Sequence, residues 1–251
     1  MSVIGIIQAR LGSTRLPGKI LAPIAGRPML ELITHRLARS RVQEWWLATT
    51  DDPQDDITAA WGHTLGLRVY RGDTDNVLSR FTAIIREREP DWIVRATADN
   101  PFLSAEAVDH LLDAREEVGK NLPLIEFSGD ENGVRQLPLG FGLQLARADA
   151  VVKSESEIAP SEAHHRAHVL SWLARHTEPK CCPIPNGWAA RPQWRWTVDT
   201  HEDLAMARNA FAVFGRRAVD IGYREMVAQL DGYPDITAIN RDVVQKTLAE
   251  G

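Results

Sequence analysis

The sequence is poor in cysteine. Its 251 residues include only Cys181 and Cys182, which are adjacent. Neighbouring residues of a strand point to opposite faces of a sheet, so this pair predicts two reduced thiols. It argues against a disulfide framework and against a zinc site built on cysteines.

Long apolar runs and an excess of positive charge are also missing. No run approaches the ~20 apolar residues of a membrane span. The first ten residues, MSVIGIIQAR, lack the basic start and long apolar run of a signal peptide. We therefore expect a cytoplasmic protein with no membrane partner. The net charge of −5 argues against nucleic acid as a partner, because nucleic-acid binding usually needs a basic face.

What the sequence does contain is an alternation of strand and helix patterns. Short apolar runs predict four strands, and periodic apolar spacing predicts four helices between and after them. The predicted strands are residues 3–9, 45–49, 67–70 and 92–96, and the predicted helices are residues 29–38, 53–65, 77–88 and 104–117. This order predicts an α/β fold with a mostly parallel sheet that helices cover on both faces.

The alternation breaks after residue 120. Two strands, a helix, a further strand and a last helix are predicted there. Their residues are 122–127, 139–145, 161–175, 194–198 and 201–214. We interpret residues 122–192 as an insertion within a single domain that spans residues 1–251, with the last strand and helix completing the α/β core.

A cluster of cations follows the first predicted strand, in the stretch IIQARLGSTRLPGKIL at residues 6–21. Ligands of parallel α/β sheets bind at the carboxyl ends of the strands. Gly12 and Gly18 allow backbone N–H groups to approach phosphate oxygens, and arginine and lysine supply the charge. The polar side chains of the stretch are Arg10, Ser13, Thr14, Arg15 and Lys19. A polyanion is the predicted ligand; a solvated basic turn is the alternative.

Two common phosphate-binding motifs do not fit this loop. A Walker A loop has four residues between Gly and Gly-Lys and then Ser or Thr, whereas here five intervene and Ile20 follows. A dinucleotide fingerprint needs three glycines in a G-x-G-x-x-G pattern, which the loop lacks.

Five segments resemble one enzyme family in its own order. They are QARLGSTRLPGK with AGRPML, LATTDDPQDD, YRGDTDNVLSRF, VRATADNPFL and WTVDTHEDLAMAR, and they span residues 4–208. Together they resemble the cytidylyltransferases named for spore-coat polysaccharide biosynthesis, relatives of the acylneuraminate cytidylyltransferases. Asn76 stands where that family often has an acid.

This resemblance implies a fold and a reaction. The fold is the three-layer α/β/α sandwich of the nucleotide-diphospho-sugar transferases. The reaction transfers CMP from CTP to an acidic acceptor, a nonulosonate sugar acid or a phosphonate, and releases pyrophosphate. The family also implies a homodimer in which residues 122–192 bind the acceptor and mediate dimerisation. Two alternatives stay open: UTP or GTP with a sugar phosphate, or a non-catalytic nucleotide-binding subunit.

The resemblance assigns roles at the nucleotide site. Asp99 and Asp199 each follow a short apolar run, so a parallel sheet would bring both to one edge, where they would hold Mg²⁺. The alternative roles are a cap before Pro101 and a cap of the helix at residue 201. Lys19 and Arg10 are the expected catalytic cations. The expected nucleotide contacts are Ala9, Arg10, Gly12, Ser13, Arg15, Lys19, Thr50, Arg80 and Asp99.

The acceptor site is expected at Gln144, Arg166 and His168. The family often has an acid where Gln144 stands, and Ala167 replaces the acid of the family's R-E-H-V-T segment. A zinc ion shared by His164 and His168, which are four residues apart, is an alternative role for this helix.

Overall fold

The structure is a computed structural model, and it describes residues 2–118, 122–130 and 132–246. The strands are β1 Val3–Gln8, β2 Pro23–Ile24, β3 Arg27–Pro28, β4 Trp45–Thr50, β5 Arg68–Gly72, β6 Trp92–Thr97, β7 Leu124–Phe127, β8 Leu143–Arg147 and β9 Lys180–Cys181. The α-helices are α1 Met29–Leu37, α2 Asp56–Thr64, α3 Val77–Arg88, α4 Ala105–Val118, α5 Ala148–Glu157, α6 His164–Ala167, α7 Ser171–His176, α8 His201–Phe214, α9 Tyr223–Asp231 and α10 Pro234–Ala238.

One mixed sheet forms the centre of the described chain. Its seven strands run in the order β5-β4-β1-β6-β8-β7-β9. The pairs β5/β4, β4/β1 and β1/β6 are parallel, and β8 runs antiparallel to β6 and β7. The predicted α/β fold with a mostly parallel sheet is therefore confirmed. The strands β7, β8 and β9 come from residues 122–192, so the predicted insertion extends the sheet itself.

The two faces of the sheet carry separate apolar cores. In β1, Ile7 belongs to one core, while Ile4 and Ile6 belong to the other. Adjacent tryptophans in β4 divide in the same way, with Trp45 in the first core and Trp46 in the second. Helices α1, α4, α8 and α9 cover the first face, and α3, α5 and α7 cover the second. A strand buried on both faces reads as a continuous apolar run, which is why these strands could be predicted.

The predicted helix at residues 161–175 is wrong. The segment instead forms a short 3₁₀ turn and the two short helices α6 and α7. Val169 lies between them with φ of 47°, a left-handed value that interrupts helical hydrogen bonding. Val169 and Leu170 are fully buried in the second core, so packing of this apolar pair compensates for the break.

The predicted strand at residues 194–198 is also wrong. This segment is extended but makes one isolated bridge, between Leu139 and Arg195, and joins no ladder. Its backbone instead reaches the turn after β6, where the Val198 N–H donates to the Asp99 carbonyl at 2.8 Å. The strand predicted at residues 139–145 begins only at Leu143. None of the helices within residues 2–118, 122–130 and 132–246 has the length and hydropathy that a bilayer span requires.

Candidate active site

The loop after β1 is anchored by a buried carboxylate. Asp55 accepts a hydrogen bond from the Leu11 N–H at 2.8 Å and others from the hydroxyls of Thr50 and Thr58. Asp55 and Thr50 are fully buried. The Thr50 hydroxyl, expected to contact the nucleotide, is therefore occupied in holding the loop's anchor. Sequence reasoning missed Asp55. Its spacing from two threonines, five residues after Thr50 and three before Thr58, was a usable signal.

The same loop closes on a left-handed glycine. Gly18 has φ of 69° and ψ of 13°, a conformation that costs glycine little and other residues more. Its N–H donates to the Leu11 carbonyl at 3.1 Å, and Lys19 follows in a short 3₁₀ turn. Gly12 differs, because a Cβ there would meet only the Gln54 side chain at an ordinary 3.4 Å. The fold thus needs glycine at position 18 but has space for a methyl group at position 12.

Lys19 is the centre of the site. Its ammonium donates to Asp99 Oδ2, Asp199 Oδ1 and the Val198 carbonyl, each at 2.9 Å. Lys19 is only 8% exposed, and these three acceptors use all three of its donors. The structure therefore brings Lys19, Asp99 and Asp199 together at the carboxyl end of β6, although the two aspartates lie 80 and 180 residues further along the chain.

Asp199 is surrounded by cations. Besides Lys19, its carboxylate contacts Arg195 Nη2 at 2.8 Å and Arg15 Nη2 at 3.2 Å. Arg195 also donates from Nε to Asp203 at 2.8 Å. Asp203 in turn accepts the Asp199 N–H at 2.9 Å. Arg195 and Asp203 were not predicted, although the spacing R-x-x-x-D-x-x-x-D over residues 195–203 places them together.

Neither alternative role as a helix cap holds. The N-cap of α8 is Thr200, whose hydroxyl accepts the Asp203 N–H at 3.3 Å, and the Asp203 carboxylate accepts the Thr200 N–H at 3.0 Å. This reciprocal arrangement is a capping box, and it leaves the Asp199 side chain to Lys19 and the arginines. No helix begins at residue 101, and the Asp99 carboxylate bonds to Lys19.

The electrostatics favour the charged forms of Lys19 and Asp99. Burial alone would lower the pKa of Lys19, but the charges of Asp99 and Asp199 more than offset it and raise that pKa above 10.5. Burial likewise opposes ionisation of Asp99, but the charge of Lys19 and its hydrogen bond lower the Asp99 pKa below 3.8. Both groups are therefore charged across the physiological pH range.

Two arginines lie near the other side of the loop. Arg10 is exposed and donates to the Thr74 carbonyl at 3.3 Å. Arg80, on α3, is fully buried, and only its Nη1 has an acceptor, the Ala48 carbonyl at 3.5 Å. Its Nε and Nη2 are buried without a hydrogen-bond partner. Burial and the charge of Arg10 lower the Arg80 pKa. A buried cation with free donors beside a second cation is an environment that favours an anion.

The remaining predicted nucleotide contacts act mainly through the backbone. Ala9 is buried, and its N–H donates to the Ala48 carbonyl at 3.2 Å. The Ser13 N–H donates to Leu11 O at 2.8 Å, and its Oγ accepts from the Leu16 N–H at 3.4 Å. Both residues shape the loop, and their contact with a nucleotide stays a prediction.

The three predicted acceptor residues occupy two places. Gln144 lies on β8 and accepts a hydrogen bond from Arg95 Nη1 at 3.1 Å. Arg166, on α6, donates to the carbonyls of Glu155 and Ile158 at 3.3 and 3.4 Å, at the end of α5. His168 follows the last residue of α6. Of the three residues, Gln144 is the one that lies on the central sheet, on the strand next to β6, which leads to Asp99. Its hydrogen-bond partner Arg95 was not predicted.

The donor set at Lys19 suits a hard cation in part. Two carboxylates are within reach of one position, and Mg²⁺ commonly takes one or two carboxylates together with phosphate and water oxygens. Across residues 2–118, 122–130 and 132–246 there is no group of three or more His, Cys, Asp or Glu side chains arranged to hold a metal ion. A cation at Asp99 and Asp199 would therefore draw its other ligands from a substrate and solvent. At α6, the ring centroids of His164 and His165 lie 4.1 Å apart, with the ring planes tilted by 37°.

Comparison with known proteins points to one family. A family model described as "Cytidylyltransferase" matches residues 4–183. The chain is 32% identical over 241 residues to the spore coat polysaccharide biosynthesis protein SpsF of Bacillus subtilis (strain 168). That alignment covers 93% of this chain and 95% of SpsF.

Two solved structures share the fold. A cytidylyltransferase from Leptospira borgpetersenii serovar Hardjo-bovis (strain JB197) is similar with a TM-score of 0.85 and 24% identity, over 98% of this chain and 100% of that one. A CMP:2-keto-3-deoxy-manno-octonic acid synthetase complexed with CTP has a TM-score of 0.63 and 20% identity, over 84% of this chain and 99% of that one. At these identities the likeness establishes the Rossmann-like nucleotidyltransferase fold.

Proposed function

The chain belongs to the cytidylyltransferase family and is a nucleotidyltransferase, and from that premise we propose that it transfers CMP from CTP to an acidic acceptor with release of pyrophosphate. The acceptor would be a nonulosonate sugar acid or a phosphonate. The observation that carries this proposal is the contact of Lys19 with Asp99 and Asp199 at the carboxyl edge of the parallel strands.

The triphosphate is assigned to the loop after β1. Arg10 and Arg15 present guanidinium groups on this loop, and Arg80, whose pKa the charge of Arg10 lowers, has two unpartnered donors. Gly12 leaves the backbone open to a close approach by phosphate oxygens. Because Lys19 is held at the end of β6 and its three donors are engaged, we assign its positive charge, and not a direct hydrogen bond, to the α-phosphate, where negative charge develops during transfer.

The chemistry is an in-line displacement. A hydroxyl or acid oxygen of the acceptor attacks the α-phosphorus of CTP, a new P–O bond forms, and the bond to the β-phosphate breaks so that pyrophosphate leaves. The protein does little covalent work in such a transfer, so positioning and charge stabilisation dominate. Lys19 and Arg15 keep fixed orientations through Asp199, which spares reorganisation when charge moves.

Asp99 and Asp199 are the residues that would hold Mg²⁺. When bound, the ion would offset charge on the triphosphate and favour departure of pyrophosphate. Asp99 is the more accessible of the two, with 28% of its side chain exposed against 11% for Asp199. We therefore expect Asp99 to make the contact that governs affinity for the ion.

A direct test measures pyrophosphate release. The wild-type protein is incubated with Mg²⁺ and each of CTP, UTP, GTP and ATP, against a panel of sugar acids and phosphonates. Release with CTP and an acidic acceptor supports the proposal. Release only with UTP or GTP and a sugar phosphate supports the alternative enzyme that uses one of those nucleotides. Release with no combination supports a non-catalytic subunit.

Asp99→Asn tests the role of the carboxylate in the same assay. The substitution keeps the shape of the side chain, and we expect kcat to fall by about 10²-fold while the circular dichroism spectrum is retained. An undiminished rate would remove Asp99 from the assigned cation site. Light scattering tests the expected homodimer, which residues 122–192 are proposed to mediate.

A further inference from the structure

Four polar side chains form a row across the sheet beside the site. They lie on one face of four adjacent strands: Gln8 on β1, Arg95 on β6, Gln144 on β8 and Glu126 on β7. The register pairs Arg95 with Gln144, and Gln144 with Glu126, whereas Gln8 pairs with Thr97, two residues beyond Arg95 on the same face. Residues directly paired in antiparallel strands carry neighbouring side chains on the same face. We name these four residues the polar row.

The polar row marks where this face turns from core to site. One row away from the site, the register aligns Ile93, Ala146 and Leu124, which are fully buried in the second core. Arg95 comes two residues after Ile93 and four before Asp99. The face thus changes from apolar to polar as β6 approaches the carboxylate that binds Lys19.

Hydrogen bonds fix the row from end to end. Arg95 donates from Nη1 to Gln144 Oε1 at 3.1 Å and from Nη2 to Gln8 Oε1 at 3.2 Å. Gln144 Nε2 donates to Glu126 Oε1 at 2.7 Å. Since Arg95 only donates and the Glu126 carboxylate only accepts, one orientation of the Gln144 amide satisfies both neighbours.

Arg95 is thereby held without being neutralised. Both of its hydrogen bonds end on neutral amide oxygens, and its Nε is buried without a hydrogen-bond partner. Arg95 is half-buried and lies four residues before Asp99 along the chain. Burial lowers its pKa, and the charge of Asp99 offsets part of that effect. A cation fixed in this way retains its attraction for an incoming anion.

We propose that Arg95 binds the acidic group of the acceptor, and that Gln144 makes this possible by holding the guanidinium without supplying a charge of its own. The inference rests on the proposed function and names the residue that gives the enzyme its preference for an acidic acceptor. A sugar acid carries a carboxylate next to the attacking hydroxyl, and a phosphonate carries the attacking oxygen itself. Both present an oxyanion close to the α-phosphate, on the side where Arg95 approaches Asp99.

The identity of residue 144 determines how much of the positive charge of Arg95 remains available to a ligand. A carboxylate at this position would lie directly across from Arg95 and form an ion pair with it, leaving less attraction for a ligand. It would also face Glu126, its partner on the other side, and the two like charges would repel each other. Glutamine avoids both effects with nearly the same shape.

The decisive experiment moves the Glu126 carboxylate one strand closer to Arg95. The double variant Gln144→Glu with Glu126→Gln keeps the composition and the net charge of the chain, yet places the acid beside the guanidinium. We expect KM for the acidic acceptor to rise at least tenfold while the Kd for CTP, measured by calorimetry, stays within twofold. The single variant Glu126→Gln measures what the loss of the β7 carboxylate does alone, and the ratio between the two isolates the position of the charge.

A neutral ligand separates recognition of charge from a structural effect. The probes are N-acetylneuraminic acid and its methyl ester, with 2-aminoethylphosphonate as the phosphonate arm. In the wild type, an acid should raise the melting temperature more than the ester does, and in the double variant this difference should disappear. A wild type that turns over acceptors while the double variant keeps the same KM overturns the inference and leaves the proposed function standing. A wild type that binds neither acid more tightly than the ester overturns the inference even if no acceptor is turned over.

Discussion

Two neighbouring regions of one sheet edge handle charge in opposite ways. Around Lys19, each buried charge meets an opposite charge: two aspartates face one lysine and two arginines. In the polar row, Arg95 meets only amides, and Gln144 separates it from the carboxylate of Glu126. The first arrangement fixes geometry before substrate arrives, whereas the second leaves attraction for a ligand to use. Fixed geometry and an unneutralised charge that can attract a ligand are thus found at two different places on the same sheet.

The largest contrast should come from the same substitution in both regions. Lys19→Met leaves two carboxylates without their shared cation, so the free energy of unfolding should fall by about 3 kcal/mol, and kcat by about 10³-fold. Arg95→Met leaves only amide oxygens unpaired, so the cost should be nearer 1 kcal/mol. Urea unfolding and pyrophosphate release measure both quantities. Equal losses of stability in the two variants would contradict the comparison.

The next largest effect is expected at Arg195, which holds the Asp199 carboxylate in place. Arg195→Met removes the contacts of Arg195 with Asp199 and Asp203, and we expect a loss of about 3 kcal/mol in the free energy of unfolding, with kcat lowered about tenfold. The matched control is Arg191→Met, because Arg191 pairs with Asp231 at the surface, at 2.6 Å. That pair should contribute less than about 1 kcal/mol. Similar losses in the two variants would show that the buried contacts of Arg195 add nothing.

Two glycines in one loop sharpen the comparison on the nucleotide side. Gly12→Ala should leave the free energy of unfolding unchanged, because a Cβ has room there, but should weaken CTP binding about tenfold if phosphate approaches the backbone. Gly18→Ala should instead cost about 1 kcal/mol of stability, because φ at that residue is 69°. Calorimetry and urea unfolding separate the two effects. Retention of CTP affinity by Gly12→Ala would argue against a phosphate at that backbone.

A smaller effect on CTP binding is expected from the loop's anchor. Thr50→Val removes the hydroxyl that donates to buried Asp55, and we expect a loss of about 2 kcal/mol in the free energy of unfolding, with a rise of a few-fold in KM for CTP. Thr64→Val is the control, since that hydroxyl is exposed on α2. Chemical unfolding and steady-state kinetics give both values. An unchanged KM in a destabilised Thr50→Val protein would confine Asp55 to a structural role.

The smallest effect concerns pH. The folded pKa of Asp99 is lowered, so its contribution to stability is present above the unfolded pKa and is lost as pH falls through the folded value, below 3.8. The folded pKa of Lys19 is raised, so its contribution is present below the unfolded pKa and is lost only as pH rises above 10.5. Between pH 5 and 9, the stability difference between wild type and Lys19→Met should therefore stay constant. Unfolding curves across this interval check it, and a slope within it would assign the difference to other groups.

Much of the parallel half could be predicted from sequence, because strands buried on both faces leave continuous apolar runs. The cluster of Lys19, Asp99 and Asp199 could be located partly for the same reason, because the cation-rich loop and Asp99 follow such strands. Asp199 instead follows an apolar segment that joins no ladder. Arg95 and Arg195 were missed because each lies inside a predicted strand, where local patterning treats a polar residue as an outward-facing one. Val169 was missed because periodicity shows that its side chain is buried but does not encode its left-handed backbone.

The partners of Lys19 lie 80 and 180 residues further along the chain, and this separation has a consequence for biosynthesis. During translation the lysine leaves the ribosome long before Asp199 exists, so the nascent chain can assemble β1, β4, β5 and β6 while the site still lacks its second carboxylate. Closing the longer loop costs only about 0.7 kcal/mol more entropy than closing the shorter one. Timing, more than thermodynamics, therefore separates a folded sheet from a complete Lys19 cluster, and the cluster is complete only after about four-fifths of the polypeptide has been made.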